Sequence, residues 1–478
     1  MNLNQVIKNL KFKSILGNSN IEISDIIYDS RKVIRNSVFV CLTGANFDGN
    51  NFTEQAINNG ATVIVTEKDI KIPGICIITV ENSREALATM SANFFDHPAR
   101  KLKTIAITGT KGKTSTSFMI KCILESTGAK VGLIGTIGYI LGEKITDLNN
   151  TTPESYEVQK YLNNMIENGC KYAVLEASSL GLKNHRLDNI IFDYGIFTNF
   201  SNDHISKNEH ENLQEYLDSK KILFKNCKIG IINTDDNHAQ EIISDSTCEI
   251  KTYSLKNIKN MKYVVKNNIM GMSFDLASNL NINNIFVSVP GEFNIYNSLA
   301  SIILCENLGI STENIISGLS KVKVKGRMEN IINNNKFQII IDYAHNYVSM
   351  KSLLETVRKY NPKRIVTVFG AGGDRPKSRR YEMGQIASEL SDFCIITDDN
   401  PRFEDRNSII QDIVSKITKN NYIIISNRKE AIEYSIKNSQ DGDVIILAGK
   451  GHETYQEISG VKYEFDERKI VNNILENI

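Results

Sequence analysis

The run Thr108–Ser115 combines glycine, lysine and hydroxyl side chains in an order that suits phosphate binding. It reads Thr-Gly-Thr-Lys-Gly-Lys-Thr-Ser. Glycine lets backbone N–H groups turn toward phosphate oxygens, a lysine after the second glycine reaches the outer phosphates, and the next hydroxyl can hold Mg²⁺. The general pattern has a glycine where Ile107 stands, so a surface turn rich in glycine and lysine remains the alternative. We predict that the loop binds ATP, with Lys113 catalytic, through Gly109, Thr110, Lys111, Gly112, Lys113, Thr114 and Ser115.

The segments on either side of this loop predict the elements that hold it in place. Lys103–Ile107 is short and rich in β-branched residues, which is typical of a buried strand. Apolar side chains recur at helical spacing over 118–124, and Gly128 provides a stop, so a helix follows the loop. The N-terminus of that helix would add the positive end of its dipole to the phosphate site.

Acidic and histidine side chains follow two further predicted strands. Glu176 ends the apolar run 172–175, so its carboxylate would lie at the ligand edge of the sheet, as a Mg²⁺ ligand or as a base that orients water. Asp203 and His204 follow the next strand, and the sequence leaves a metal contact and a structural histidine equally open. Lys220, judged by its neighbours alone, is predicted to be a surface lysine near a helix end.

Length and composition limit the class of protein. The chain has 478 residues, which at about 150 residues per domain suggests three domains. Its net charge of +1 argues against a general nucleic-acid binder, whose domain would be strongly basic. The eight cysteines include no Cys-x-x-Cys pair, so neither a zinc site nor a disulfide framework is expected. No signal peptide and no long apolar run is present, which predicts a cytoplasmic protein without a membrane span.

Strands and helices alternate along most of the chain, which predicts an α/β protein with parallel sheets. We expect domains at 1–97, 98–325 and 326–478, and within the second an antiparallel patch over 247–290. In open α/β sheets ligands bind beyond the carboxyl ends of strands. The candidate binding loops of the last domain are therefore Asp342–His345, Gly370–Arg380, Asp398–Arg402 and Gly449–Glu453.

Taken in order, the motifs resemble those of the Mur ligases. The motifs are Gly-Thr-x-Gly-Lys-Thr, Glu176-Ala-Ser-Ser, Thr198-Asn199 with Asp203-His204, Lys220-x-x-Leu-Phe, Phe293-Asn294-x-Tyr-Asn, Gly326-Arg327-Met-Glu and Asp342-Tyr-Ala-His. The resemblance covers the whole chain. It implies three domains: one for a uridine nucleotide, a central one with a P-loop ATPase-like parallel sheet, and a C-terminal Rossmann-like one for an amino acid.

The resemblance also implies an activity. Asp399-Asn400-Pro401-Arg402 is similar to the signature of the type that adds meso-2,6-diaminopimelate to UDP-N-acetylmuramoyl-L-alanyl-D-glutamate. That reaction uses ATP and Mg²⁺, passes through an acyl phosphate, and serves peptidoglycan synthesis and hence cell shape and division. We expect a monomer with these small-molecule substrates and no nucleic-acid partner. Ligation of L-lysine or of a diaminopimelate analogue such as meso-lanthionine, another Mur-type ligation, polyglutamation of folate, and a P-loop regulatory switch are the alternatives.

Site residues carried over from the family complete the expectation. Lys220 resembles the family's carbamylated lysine, and its carbamate would bind metal together with Thr114, Glu176 and His204. Glu176, His204 and Lys220 would be catalytic as well, beside Lys113. ATP would also contact Asn294, Arg327 and Asp342, and the UDP-linked substrate would contact Ser30, Thr151, Thr152, Ser178, Asn184 and Arg186. The amino acid would contact Arg375, Asp399, Asn400, Pro401, Arg402, Gly449 and Glu453, with Arg402 selecting the distal carboxylate. Asn184 stands where a longer glutamine is common, and Pro376–Arg380 departs from the usual pattern.

Overall fold

The computed structural model describes residues 1–44, 47–202, 205, 209–277, 281–333 and 336–477. They form two compact units, one of Met1–Leu255 and Leu299–Ile315, the other of Lys256–Ser298 and Ile316–Ile478. The architecture is α/β, as predicted, and most strand pairs are parallel. The domain boundaries expected near 97 and 325 remain predictions.

The first unit begins with a mixed sheet. Its elements are α1 (Leu3–Val6), β1 (Ser14–Leu16), β2 (Ile26–Ile27), β3 (Ser37–Val40), α2 (Thr53–Asn58), β4 (Ala61–Thr66), β5 (Cys76–Thr79) and α3 (Ser83–Phe94). Among the described residues the strand order is β1-β5-β4-β3-β2, with β1 antiparallel and the other pairs parallel. Strands β3 and β4 with helix α2 between them confirm the predicted alternation of strands and helices.

A larger sheet follows and carries the phosphate loop. Its elements are β6 (Lys103–Thr108), α4 (Lys113–Glu125), β7 (Val131–Gly135), β8 (Gly138–Leu141), β9 (Lys144–Thr146), α5 (Ser155–Glu167), β10 (Tyr172–Glu176), α6 (Ser179–Lys183), β11 (Phe192–Phe197), α7 (Leu213–Lys225), β12 (Cys227–Asn233), α8 (Ala239–Ile242) and β13 (Glu249–Tyr253). Within the described ranges the order is β13-β12-β11-β6-β10-β7-β8-β9, and only the pairs involving β8 and β9 are antiparallel. Strand β6 therefore lies between β10 and β11, so the loops after these three strands meet at one edge of the sheet.

The antiparallel patch predicted over 247–290 is partly wrong. Strand β13 pairs in parallel with β12 and closes the edge of the large sheet. The rest is antiparallel as expected and belongs to the second unit, where β14 (Ile258–Lys266), β15 (Ile269–Leu276) and β16 (Ile282–Val287) form a sheet in the order β14-β15-β16. The sequence of a short β-like segment does not indicate whether it pairs in parallel or antiparallel, because that depends on the partner strand. Helices α9 (Phe293–Asn307) and α10 (Thr312–Ser320) come next.

The second unit continues with an α/β sheet. Its elements are β17 (Glu329–Asn333), β18 (Phe337–Asp342), α11 (Tyr347–Arg358), β19 (Arg364–Phe369), α12 (Lys377–Leu390), β20 (Phe393–Ile396), α13 (Arg406–Val414), β21 (Tyr422–Ile424), α14 (Arg428–Lys437), β22 (Asp443–Ala448), β23 (Tyr455–Ile458), β24 (Val461–Glu464) and α15 (Glu467–Leu475). In the described part the order is β17-β18-β22-β19-β20-β21, with only β17 antiparallel. The four predicted binding loops follow strands β18, β19, β20 and β22, as their position at strand ends required. Strands β23 and β24 form a separate hairpin.

An ion pair buried beneath this sheet edge joins α14 to α15. The side chains of Arg428 and Glu467 are both 0% exposed, and Arg428 Nε donates to Glu467 Oε1 at 2.8 Å. The guanidinium also donates to the carbonyl oxygens of Asp398, just beyond β20, and of Ala448, at the end of β22. Removing one partner of such a pair leaves a buried charge uncompensated.

We expect Arg428→Met to lower the free energy of unfolding by about 3–5 kcal/mol, because Glu467 and the two carbonyls lose their donor. Urea titration followed by circular dichroism measures the change. Lys437→Met is the matched control, since Lys437 pairs with Glu433 on the same helix but is 57% exposed; it should cost less than about 1 kcal/mol. Equal costs for the two variants would contradict the argument.

Candidate active site

The phosphate loop has the geometry that its sequence predicts. It leaves β6 and enters α4 at Gly112, and no side chain among the described residues caps that helix. The first N–H groups of an uncapped helix lack intrahelical acceptors, so an anion can take their place. Lys113 Nζ lies over the loop and donates to the carbonyls of Gly109 at 2.7 Å and Thr110 at 3.1 Å. The amine is therefore already directed at the cradle where phosphates would bind.

Two positions in the loop require glycine. Gly112 has φ +88°, a left-handed conformation that side chains disfavour. Gly109 has φ +146°, and a Cβ at this position would collide with the hydroxyl of Thr198. The surface-turn alternative does not explain these restraints, whereas close approach to a neighbouring strand end does.

The end of strand β11 holds the loop from the other side. Asn199 accepts from the N–H of Lys111 at 2.9 Å through its side chain and from the N–H of Thr110 at 2.8 Å through its carbonyl. The Thr198 hydroxyl donates to the carbonyl of Lys111 at 2.7 Å. The Thr198-Asn199 motif is thus a structural support of the phosphate loop.

Glu176 lies at the carboxyl end of β10 beside the loop, as predicted. It is 1% exposed, and its Oε2 accepts from the hydroxyls of Thr114 at 3.0 Å and Thr136 at 2.9 Å. Oε1 accepts from the N–H of Thr136 at 3.1 Å. Burial raises the pKa of the Glu176 carboxyl, and the charge of Lys113 and these hydrogen bonds oppose the rise. A carboxylate so placed is stabilised by further positive charge.

Glu176 also contacts, through its backbone, the residues expected to hold the UDP-linked substrate. The backbone carbonyl of Glu176 accepts from the Thr152 hydroxyl at 2.7 Å, and that hydroxyl lies 3.0 Å from the Ser178 hydroxyl. Thr151 Oγ1 is 3.1 Å from Thr136 Oγ1, and Arg186 donates to the Thr152 carbonyl at 3.0 Å. Four of the predicted substrate residues therefore form one cluster with the phosphate loop.

The guanidinium of Arg186 is further held by an ion pair with a residue that sequence reasoning missed. Arg186 Nη2 lies 2.9 Å from Glu154 Oε1, and Arg84 Nη1 lies 2.7 Å from the other oxygen of Glu154. Asn184, also predicted, ends helix α6 as its C-cap. Ser30, also predicted, begins a short 3₁₀ helix (Ser30–Lys32) after β2, is buried, and donates to Gln55 Oε1 at 2.7 Å.

Lys220 is not the surface residue that local sequence suggests. It lies on α7 and is 1% exposed, with Nζ 4.1 Å from the centre of the Tyr216 ring. Tyr216 in turn donates to the Thr110 hydroxyl of the phosphate loop at 3.0 Å. The prediction failed because amphipathic spacing on a short helix does not reveal which face a neighbouring loop covers. Asp203 and His204 lie outside the described residues.

The oxygens around Glu176 fit a divalent cation. The Thr114 hydroxyl and the Glu176 carboxylate are hard oxygen donors in contact with one another, at the start of the helix that would receive phosphates. Mg²⁺ prefers such ligands and completes its shell with phosphate oxygens and water. Among the described residues, no three His, Cys, Asp or Glu side chains gather as a metal cluster.

In the second unit, the residues expected to serve ATP divide into two places. Asp342 ends β18 and accepts from the N–H of Met328 at 2.7 Å, and burial raises the pKa of its carboxyl while Arg327 opposes the rise. Arg327 stacks over the Tyr343 ring at 4.7 Å. Asn294 is 1% exposed and bonds within its own segment, to the Pro290 carbonyl and the Asn297 amide.

The loops predicted to bind the amino acid converge at the carboxyl edge of the sheet in this unit. Asn400 Nδ2 donates to Glu453 Oε2 at 2.8 Å, across 53 positions of sequence. The N–H of Gly373 donates to the Asn400 carbonyl at 2.9 Å, so the Gly370–Arg380 loop also contacts the Asp398–Arg402 loop. Asp399 and Pro401 are buried, Gly449 lies against the Asp399 carboxylate, and Arg375 is exposed beside the loop.

Arg402 is held at the rim of this cluster. Its φ is +51°, an unusual conformation that hydrogen bonds to strand β23 maintain, from its N–H to the Glu457 carbonyl and from the Ser459 N–H to its own carbonyl. Its Nη1 donates to the Gly373 carbonyl at 2.5 Å, and Nε lies 3.4 Å from Glu457. A guanidinium has five N–H donors, so donors remain for a carboxylate.

Comparison with known proteins agrees with this geometry. Three family models match: the Mur ligase family, catalytic domain, at residues 22–101, the Mur ligase middle domain at 107–305, and the Mur ligase, glutamate ligase domain, at 326–451. Within the described residues, no helix is both long and apolar enough for a membrane crossing.

Relatives match over the full length of the chain. A UDP-N-acetylmuramoyl-L-alanyl-D-glutamate--2,6-diaminopimelate ligase of Clostridium acetobutylicum is 42% identical over 483 residues, covering 100% of both chains. One of Caldanaerobacter subterraneus is 42% identical over 480 residues and 99% of both chains. A solved structure of an enzyme with the same name has a TM-score of 0.73 and 28% identity, and covers 100% of this chain and 99% of its own. The chain belongs to the Mur ligase family, with the three-domain fold of that family.

Proposed function

We propose that this chain uses ATP to join 2,6-diaminopimelate to UDP-N-acetylmuramoyl-L-alanyl-D-glutamate, a step of peptidoglycan synthesis. The observation that carries the proposal is the convergence of Asn400, Arg402 and Glu453 at one sheet edge, in a chain whose full-length relatives bear the name of this activity. A P-loop regulatory switch would need the phosphate loop but not this second cluster. Addition of L-lysine would leave Arg402 without a carboxylate to bind, and addition of glutamate, as in folate polyglutamation, would leave Glu453 without an ammonium group to bind.

The first half of the reaction activates a carboxylate. The substrate carboxylate attacks the γ-phosphate of ATP, which yields an acyl phosphate and ADP. Lys113 and the N–H groups at the start of α4 bind phosphate oxygens and stabilise the charge that moves onto them. Thr114 and Glu176 would hold Mg²⁺, which would supply positive charge for the phosphate oxygens, and His204 with a carbamate on Lys220 would hold a second ion.

The second half forms the amide. The amine of the diamino acid attacks the activated carbonyl and phosphate leaves. Thr152, Ser178 and Arg186 hold the UDP-linked dipeptide beside the phosphate loop, so its reacting carboxylate is already positioned next to ATP. Arg402 binds the distal carboxylate of the diamino acid and Glu453 its ammonium. Nucleotide substrates of this kind are those of the cytoplasm, where we place the enzyme; its monomeric state stays a prediction.

Replacing Lys113 should abolish ligation. In Lys113→Ala the phosphates lose the cation directed at them, so ADP release in the presence of UDP-linked dipeptide and diaminopimelate should fall by at least about a thousandfold. Binding of the UDP-linked dipeptide, measured by calorimetry, should persist. Lys121→Ala is the control, since Lys121 lies on the same helix and pairs with Glu125. Turnover near normal in Lys113→Ala would remove the loop from the mechanism.

Lys220 should be needed as a carbamate. Only a neutral amine captures CO₂, and a buried lysine gives up its proton more readily than an exposed one. Lys220→Ala should be inactive and regain part of its activity with a short carboxylate in solution, whereas the neighbouring Lys221→Ala should remain active. Full activity of Lys220→Ala without added carboxylate would contradict the assignment.

Arg402 should determine which amino acid the enzyme adds. Diaminopimelate differs from lysine by one carboxylate, and a hydrogen bond to a charged group contributes about 1.5–3 kcal/mol, or tenfold to over a hundredfold. Arg402→Ala should therefore lower the ratio of kcat/KM for diaminopimelate over lysine by that factor. Arg358→Ala, which removes an exposed arginine paired with Asp392, should leave the ratio unchanged. The same ratio in Arg402→Ala and the unmodified enzyme would exclude Arg402 as the selector.

A further inference from the structure

A buried lysine lies at the centre of the loops that we assign to the diamino acid. Lys450 follows strand β22, and its side chain is 0% exposed. Nothing in the proposed mechanism uses it. Burying an ammonium group is costly unless acceptors surround it, so its position calls for a reason.

The Lys450 ammonium bonds to the two polar side chains that face the site. Nζ donates to Asn400 Oδ1 at 2.9 Å and lies 3.4 Å from Glu453 Oε2. The aromatic rings of Tyr455 and Phe465 lie 5.8 and 6.0 Å from the same nitrogen. The amine is therefore enclosed by its two acceptors and by aromatic faces.

These bonds determine which way the Asn400 amide points. Its Oδ1 accepts from Lys450 and, at 2.9 Å, from the N–H of Glu457, and both of these groups can only donate. The Nδ2 group must then face the other way, where it donates to Glu453 Oε2 at 2.8 Å. Among the described residues Glu453 Oε1 receives no hydrogen bond from a side chain, and both donors meet Oε2.

We propose that Lys450 is a positioning residue of the amino-acid site. It holds the Asn400 amide in one orientation, and it keeps the Glu453 carboxylate charged and turned toward the ammonium group of the diamino acid. This inference rests on the proposed function, because it takes the diamino acid as the ligand of Glu453. Lys450 itself touches no substrate.

The charges around Glu453 explain why a cation is needed there. Burial and the neighbouring Asp399 raise the pKa of the Glu453 carboxyl, and the charge of Lys450 with its hydrogen bond lowers it. Arg428, Tyr343 and Tyr455 also face the group. Without Lys450 the pKa of Glu453 rises further, so the carboxylate becomes protonated, and loses its attraction for an ammonium, at a higher pH than in the unmodified enzyme.

The test measures KM for meso-diaminopimelate between pH 6 and 9 in Lys450→Met and Lys450→Gln. Glutamine is neutral but can still donate to Asn400, so it is the variant more certain to fold. In both, KM should exceed the wild-type value by about tenfold or more at neutral pH, and the increase of KM on acidification should begin at higher pH. The KM values for ATP and UDP-linked dipeptide should stay unchanged.

A double variant separates positioning from general damage. Glu453→Gln removes the titrating group, so adding Lys450→Met to it should leave the pH profile of KM unchanged and should raise KM by less than Lys450→Met does alone. Lys462→Met is the matched control: Lys462 is an exposed lysine on the adjacent hairpin, over the same Tyr455 ring. It should behave as wild type. A pH profile of the Lys450 variants parallel to wild type, or full additivity with Glu453→Gln, would overturn the inference.

Failure of this inference and failure of the proposed function give different results. If the unmodified enzyme ligates another amino acid and not diaminopimelate, the proposed function is wrong whatever the variants do. If it ligates diaminopimelate with the expected KM and the Lys450 variants match it, only the role of Lys450 is wrong.

Discussion

A single buried carboxylate organises the chemistry of the first unit. Glu176 accepts hydrogen bonds from Thr114 at the start of α4 and from Thr136, while its backbone carbonyl accepts from Thr152 in the substrate cluster. Hydrogen bonds to a charged group are worth about 1.5–3 kcal/mol each, more than those between neutral groups. The phosphate loop and the substrate residues are thus held in register by the same residue that would ligate the metal.

In the second unit, a network of buried charges holds the loops of the amino-acid site in place. Asn400, Glu453 and Lys450 come from two loops, and Arg428 beneath them bonds both to Glu467 and to the ends of the strands that carry those loops. Each charge is compensated by another, and removal of any one leaves its partner buried without a counter-charge. Such a network is rigid, which suits a site that must distinguish two amino acids by one carboxylate.

Function in both units depends on strand order more than on any single motif. The loops after β6, β10 and β11 meet because β6 lies between the other two, and those after β18, β19, β20 and β22 meet because these strands are neighbours. Parallel strands direct all their carboxyl ends to one edge, where helix N-termini also begin. Residues that are 50 to 90 positions apart become hydrogen-bond partners, such as Asn199 with Lys111.

The amino-acid sequence was enough to predict the strand and helix pattern, the phosphate loop, the strand-end position of Glu176 and the polar loops of the last domain, because periodicity and glycine placement act over a few residues. It did not determine that Lys220 and Lys450 are buried, that β13 joins the large sheet in parallel, or that Glu154 holds Arg186. The burial of a side chain and the pairing of a strand depend on which distant segments pack against them, and the local spacing of residues does not indicate those segments. Those contacts form only in the folded chain, because long-range packing sets the environment of each charge.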